Sequence, residues 1–156
     1  MPRFESSIDV DVPVRIAYDQ WTQFEEFPEF MEGVERVVQV DDRTLDWTAT
    51  IAGQRREWRA EIVDQTPDVR IAWKSVDGTE NAGAVLFQPV GPETTKITLR
   101  IDADPEGVVE TVGANLGFVE RRVEGDLERF KTFIESRRVP TGAWRGEIHG
   151  TDVTGG

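Results

Sequence analysis

The chain contains no cysteine and a single histidine, His149. Without thiols there is no disulfide framework, no thiolate metal site and no cysteine nucleophile. One histidine cannot build a multi-histidine metal site or a histidine-based triad within one chain. His149 is expected to be exposed and without a role, and no metal or other cofactor is expected. No apolar run approaches the ~18 residues of a membrane span. The opening Met-Pro-Arg-Phe-Glu-Ser-Ser lacks the apolar stretch of a signal peptide. A cytoplasmic protein with no integral membrane association is expected.

Positive charge is also in short supply. Thirty acidic residues against eighteen basic ones leave a net charge of −12. Nucleic-acid binding depends on cations that neutralise phosphates, so no nucleic-acid partner is expected. Anionic membrane surfaces are disfavoured for the same reason. Solubility through self-repulsion and a salt-rich habitat both account for the acidity. No glycine-rich phosphate loop follows a strand, because Gly113-Ala-Asn-Leu-Gly117 falls in a helical pattern and lacks a P-loop lysine. Glu25, Glu29 and Glu32 share a solvated helical face, and Asp9 and Asp11 lack calcium-loop spacing.

What the chain does have is alternation. At 156 residues it fits one domain, able to bury roughly two-thirds of its unfolded surface. Phe4, Ser6, Ile8, Val10 and Val12 alternate with polar residues, as in a half-buried strand. Pro13 then opens a helix carrying Val14, Ala17, Tyr18 and Trp21, and Pro28 separates off a second short helical piece with Phe24, Phe27 and Phe30. From Val34 to Ala103 six further strands follow, among them Leu45-Asp-Trp47-Thr-Ala49, Trp58-Arg-Ala60-Glu-Ile62, Ile71-Ala-Trp73, Gly83-Ala-Val85-Leu-Phe87 and Ile97-Thr-Leu99-Arg-Ile101. Their short turns require antiparallel neighbours. Asp104-Pro105-Glu106 signals a helix start. The apolar stripe Val109, Val112, Leu116, Val119, Val123, Leu127, Phe130 and Ile134 follows it, and Pro140 closes it. The stripe predicts a helix of about 33 residues, on the order of 50 Å long. The remainder, 139–156, reads as a flexible tail.

A sheet with one apolar face must cover that face, and only the last helix is long enough. The expected class is therefore α+β, a curved antiparallel sheet of about seven strands gripping a long C-terminal helix. Gly113 and Gly117, four residues apart, leave a notch on that helix, while Trp47, Trp58, Trp73 and Phe87 face inward from the strands. A plain aromatic core and a cavity are both compatible with this pattern.

The order of elements resembles the START-like superfamily, also called SRPBCC. Val10-Asp-Val-Pro-Val-Arg-Ile-Ala-Tyr-Asp-Gln-Trp21 is similar to its opening strand-to-helix pattern, and Phe24-Glu-Glu-Phe-Pro-Glu-Phe30 to its aromatic-Pro-x-aromatic segment. Val119-Glu-Arg-Arg-Val-Glu-Gly-Asp-Leu-Glu-Arg-Phe-Lys131 resembles the closing helix of the polyketide cyclase/dehydrase and coenzyme Q-binding branch. The resemblance covers residues 3–138 and implies a helix-grip domain over 1–138 with a hydrophobic cavity between sheet and last helix. It implies lipids, quinones or polyketides as ligands.

Three functions stay open: binding or transport of an apolar small molecule, polyketide cyclisation or dehydration, and protein interaction through Trp144 and Ile148 of the tail. For binding, the expected lining is Phe27, Phe30, Met31, Trp47, Trp58, Trp73, Phe87, Val112 and Leu116, the first three near the mouth. For catalysis, the acid/base candidates are Tyr18 and Asn115. Arg59 and Arg100 would face the interior only with the strand faces inverted. The scarcity of inward polar groups favours binding. The oligomeric state is not legible.

Overall fold

The computed structural model describes residues 3–31, 33–51, 53–78, 81–103, 116–150 and 152–154. The alternating segments form β1 (Arg3–Val10), β2 (Val34–Gln39), β3 (Thr44–Ile51), β4 (Gln54–Thr66), β5 (Arg70–Gly78), β6 (Asn81–Gly91) and β7 (Thr94–Ala103). They pair antiparallel in the order β1-β7-β6-β5-β4-β3-β2. Six of these strands follow one another as a meander, and β1 closes onto the last of them, with Ile8 opposite Ile97 and Phe4 opposite Ile101. The two outer strands of this path, β1 and β2, are joined through α1 (Val14–Trp21) and a 3-10 helix (Phe24–Glu29). Two short helices form as expected, but the break between them falls at Thr22 and Gln23, and Pro28, expected to make the break, lies inside the 3-10 helix.

The terminal helix, α2, runs from Leu116 to Arg137. At 1.5 Å per residue its 22 residues span about 33 Å. The expected start at Asp104 and the stretch through Asn115 lie outside the described residues. Val123, Leu127, Phe130 and Ile134 form its buried stripe, at the steps of three and four that put them on one face. They join β-strand residues Val10, Ile62, Ile71, Val85 and Ile97 in one core. Polar ties fix the helix at both sides. The Arg129 Nε–H donates to the Phe30 carbonyl (3.0 Å), and the Asp11 N–H donates to Glu135 Oε2 (2.8 Å). No helix among the described residues is long and apolar enough to cross a membrane.

The strand faces are those the alternation predicts. Arg59 and Arg100 lie on the outer face, where Arg59 grips Asp46 (2.7 and 3.0 Å) and Arg100 pairs with Glu5 (3.0 Å).

The segment after α2 corrects the expectation of a tail outside the fold. Arg138, with φ +62°, ends the helix, and the chain turns back. It adds two short strands, β8 (Glu147–His149) and β9 (Asp152–Thr154). β8 pairs with β4 at Asp64 and Gln65. The physical reason lies in strand length. β3 pairs only with Gln54–Glu61 of β4, so the remaining edge of that 13-residue strand would present unpaired backbone groups. β8 takes part of that edge, and the Gly150 N–H donates to the Val63 carbonyl (2.9 Å). Ile148 is fully buried against the core, and Trp144 packs partly buried against it.

Candidate ligand-binding site

Strand register puts Trp47 directly opposite Trp58. Their indoles stack with centroids 5.6 Å apart and planes 8° from parallel. Phe27, carried in by the 3-10 helix, tilts against Trp47 at 5.6 Å and meets Trp21 of α1 edge-on at 5.3 Å. The expected lining residues Phe27, Trp47 and Trp58 are thus one aromatic group. Phe30 is joined to it through Phe27, but is itself wedged against Trp21 and against Phe130 and Phe133 of α2. It is 1% exposed and packs the 3-10 helix onto α2. Met31 is buried beside it.

Trp73 lies on the same inner face of β5, opposite Gly83 of β6. A Cβ on Gly83 would lie 2.6 Å from the Trp73 ring and 2.6 Å from the Arg100 carbonyl. The missing side chain is what lets the indole lie across β6. Phe87, further along β6, is buried and meets Tyr18 edge-on at 5.3 Å. Exposure changes along the strands. Ile62, Ile71, Phe87 and Ile97 are buried, whereas Trp58, Trp73, Gly83 and Ile101 are only partly so. Val112 and Asn115 lie outside the described residues. Leu116 opens α2, and its side chain also lies outside them.

The electrostatics of this face are those of donors. The indole N–H groups of Trp21, Trp47 and Trp58 are buried without an acceptor, and an indole can only donate. Tyr18 is fully buried. Desolvation pushes its phenol up to about 12, with the neighbouring Gln65 amide and the Arg145 guanidinium opposing the rise. At neutral pH it remains protonated, a donor and not a base. Among the described residues no cluster of His, Asp or Glu is arranged to hold a metal ion. Outside the body, a groove of about 490 Å³ between the 3-10 helix and α2 is lined by Glu29, Gly125, Glu128, Arg129, Thr132 and Phe133. It is open to solvent.

Sequence reasoning missed a polar seat made by α1 and the β4–β5 turn. Gln20 Nε2 donates to Thr141 Oγ1 (3.0 Å), while the Thr141 N–H donates to Gln20 Oε1 (2.8 Å). The Trp144 N–H donates to Thr22 Oγ1 (3.1 Å). Arg145 bridges Asp19 and Asp68, the latter at 2.8 Å, and its guanidinium lies over the Tyr18 ring. The only local signal was Glu147-Ile148-His149 between Gly146 and Gly150, too short to read as a strand without its partner.

Known proteins share this architecture. The Zhui aromatase/cyclase of Streptomyces sp. R1128 superimposes with a TM-score of 0.72 at 16% identity, over 91% of this chain and 98% of that one. A START superfamily protein of Mycobacterium smegmatis gives 0.62 at 17% identity, over 81% and 97%. An uncharacterised 17.2 kDa protein from the melC2-rnhH intergenic region of Streptomyces lincolnensis is 50% identical over 149 residues, 95% of this chain and 99% of that protein. Residues 10–132 match the family described as polyketide cyclase / dehydrase and lipid transport. That match covers most of the chain and ends before the returning segment. The chain belongs to the polyketide cyclase / dehydrase and lipid transport family.

Proposed function

We propose that residues 1–138 form a cytoplasmic binding or carrier domain for an apolar small molecule of the lipid, quinone or polyketide kind. The ligand lies between the inner sheet face and the terminal helix, against Phe27, Trp47, Trp58, Trp73 and Phe87. Phe30 and Met31 support its entrance. The observation that supports this reading most is the pair of stacked indoles on the inner face, partly accessible, whose buried N–H groups lack acceptors. An apolar site with a few polar anchors is the usual form of a small-molecule pocket.

Polyketide cyclisation or dehydration is the competing reading, and it needs an acid/base within reach of the ligand. Of the two candidates, Tyr18 is held protonated and buried under Arg145, which favours binding over turnover. Interaction through the tail is disfavoured because Ile148 and Trp144 are engaged by the chain's own core.

Native mass spectrometry of protein from its own host, followed by solvent extraction, tests the proposal. A co-purifying quinone or lipid released by solvent supports the carrier. Conversion of a polyketone by the purified protein would overturn it in favour of the enzyme.

A further inference from the structure

The strap formed by residues 139–154 is held to the body differently from any other element. Its two strands are three residues each, and β8 meets β4 at two register positions. Among its described residues Ile148 alone is a fully buried large apolar side chain. Trp144 and Val153 pack only partly buried against the core, and the rest of the hold is polar: the two-ended Gln20–Thr141 pair, the Trp144 N–H to Thr22, and Arg145 between Asp19 and Asp68. A stretch resting on so little buried apolar surface belongs to the low-stability end of a fold.

The docked state also carries its own penalty. Beneath the strap the Tyr18 hydroxyl, both ends of the Gln65 amide and Oδ1 of Asp68 are buried without well-formed hydrogen bonds. Undocking returns such groups to water. The hydrogen bonds and ion pairs that hold the strap are thereby partly offset by the polar groups it buries. The chain has a place to bend. Arg138, at φ +62°, separates the strap from α2, and its N–H closes the last turn on the Ile134 carbonyl (2.7 Å). α2 is therefore complete without the strap.

We propose that residues 139–154 are a releasable latch, locked by Arg145 between Asp19 and Asp68, whose undocking bares the β4 edge at 63–65 and the Tyr18–Phe87 end of the core. Asp19 is the member that makes Arg145 the lock. Its side chain is 7% exposed, and its other cation, Arg15, is 3.8 Å away and 71% exposed. The inference does not depend on the ligand, and the latch lies beyond the family match that ends at residue 132.

Hydrogen exchange followed by mass spectrometry on the full chain tests it, with Arg145→Gln and the milder Asp68→Asn. Asn tolerates the left-handed backbone that Asp68 adopts (φ +64°). Strap peptides are expected to exchange about tenfold or more faster than those of β6 and β7 in the wild type. Either variant should raise strap exchange roughly a further tenfold and leave β6 and β7 unchanged. Tyr18 is the only tyrosine and cysteine is absent, so nitration by tetranitromethane at Tyr18 should quicken in step. Equal exchange of strap and β6–β7 in the wild type, a parallel rise of both in the variants, or no change in either variant would overturn the latch.

Discussion

Trp47 and Trp58 face each other across β3 and β4 with their rings 5.6 Å apart and nearly parallel. The cross-strand register alone sets that approach. Two indoles this close couple electronically, so the far-ultraviolet circular dichroism should carry an exciton couplet. Trp47→Phe and Trp58→Phe should each abolish it. Each should also lower stability by about 0.5–1.5 kcal/mol, the worth of an aromatic pair beyond its area. A couplet that survives both single substitutions would place the stack elsewhere.

Gly83 is where β6 makes room for Trp73. Gly83→Val introduces atoms into space held by the indole and by the Arg100 backbone, and the backbone cannot yield cheaply. Urea unfolding should report a loss of about 1–3 kcal/mol, the usual range for overpacking. Trp73 fluorescence, isolated in a background with the other tryptophans replaced by Phe, should shift with it.

The proposed ligand cup makes a different demand of Trp73 and Gly117. Trp73→Ala or Gly117→Leu should change ligand uptake more than folding, read as uptake against the urea midpoint. Unaltered uptake in two folded variants would contradict the assignment of those residues.

Tyr18 gives a pH signature. Its phenol, at about 12 in the folded chain against the ordinary 10.0 of a solvated tyrosine, keeps its proton where the unfolded chain has lost it. The stability tied to that proton is fully present below pH 10 and falls as pH rises from 10 through 12. The loss amounts to roughly 2–3 kcal/mol at its limit. Urea unfolding at about pH 9 and about pH 11, on either side of the unfolded-state titration, should show a steeper decline for the wild type than for Tyr18→Phe. Equal slopes would mean that the phenol is not buried.

Phe130 is fully buried between Trp21 at 5.0 Å and Phe30 at 5.0 Å. Phe130→Ala should destabilise by about 3–5 kcal/mol, the transfer and cavity terms together. A loss below about 1 kcal/mol would remove this half of α2 from the core.

These residues also mark what the sequence disclosed. Period-two alternation placed Leu45, Trp47 and Ala49 on one face and Asp46 on the other, because a strand has only two sides. Steps of three and four found Val123, Leu127, Phe130 and Ile134 for the same kind of reason. The aromatic group was visible as inward-facing tryptophans, but its partners were not. That Phe27 reaches Trp47 depends on how the 3-10 helix crosses the sheet, which no local pattern encodes. The strap was illegible for a stronger reason. Ile148 becomes a strand residue only because β4 outlasts β3, and Arg145 meets Asp19 across 126 positions of sequence. Local propensity has no access to either relation.

The most direct test of the binding claim uses the five indole N–H groups, Trp21, Trp47, Trp58, Trp73 and Trp144, each giving one 15N-correlated proton resonance. Titration with 2-methyl-1,4-naphthoquinone, whose carbonyls accept hydrogen bonds, should move Trp47 and Trp58 downfield and leave Trp144 in place. If Trp47 and Trp58 stay put through saturating quinone, or Trp144 alone responds, the guest does not lie against the stacked indoles and the account is wrong.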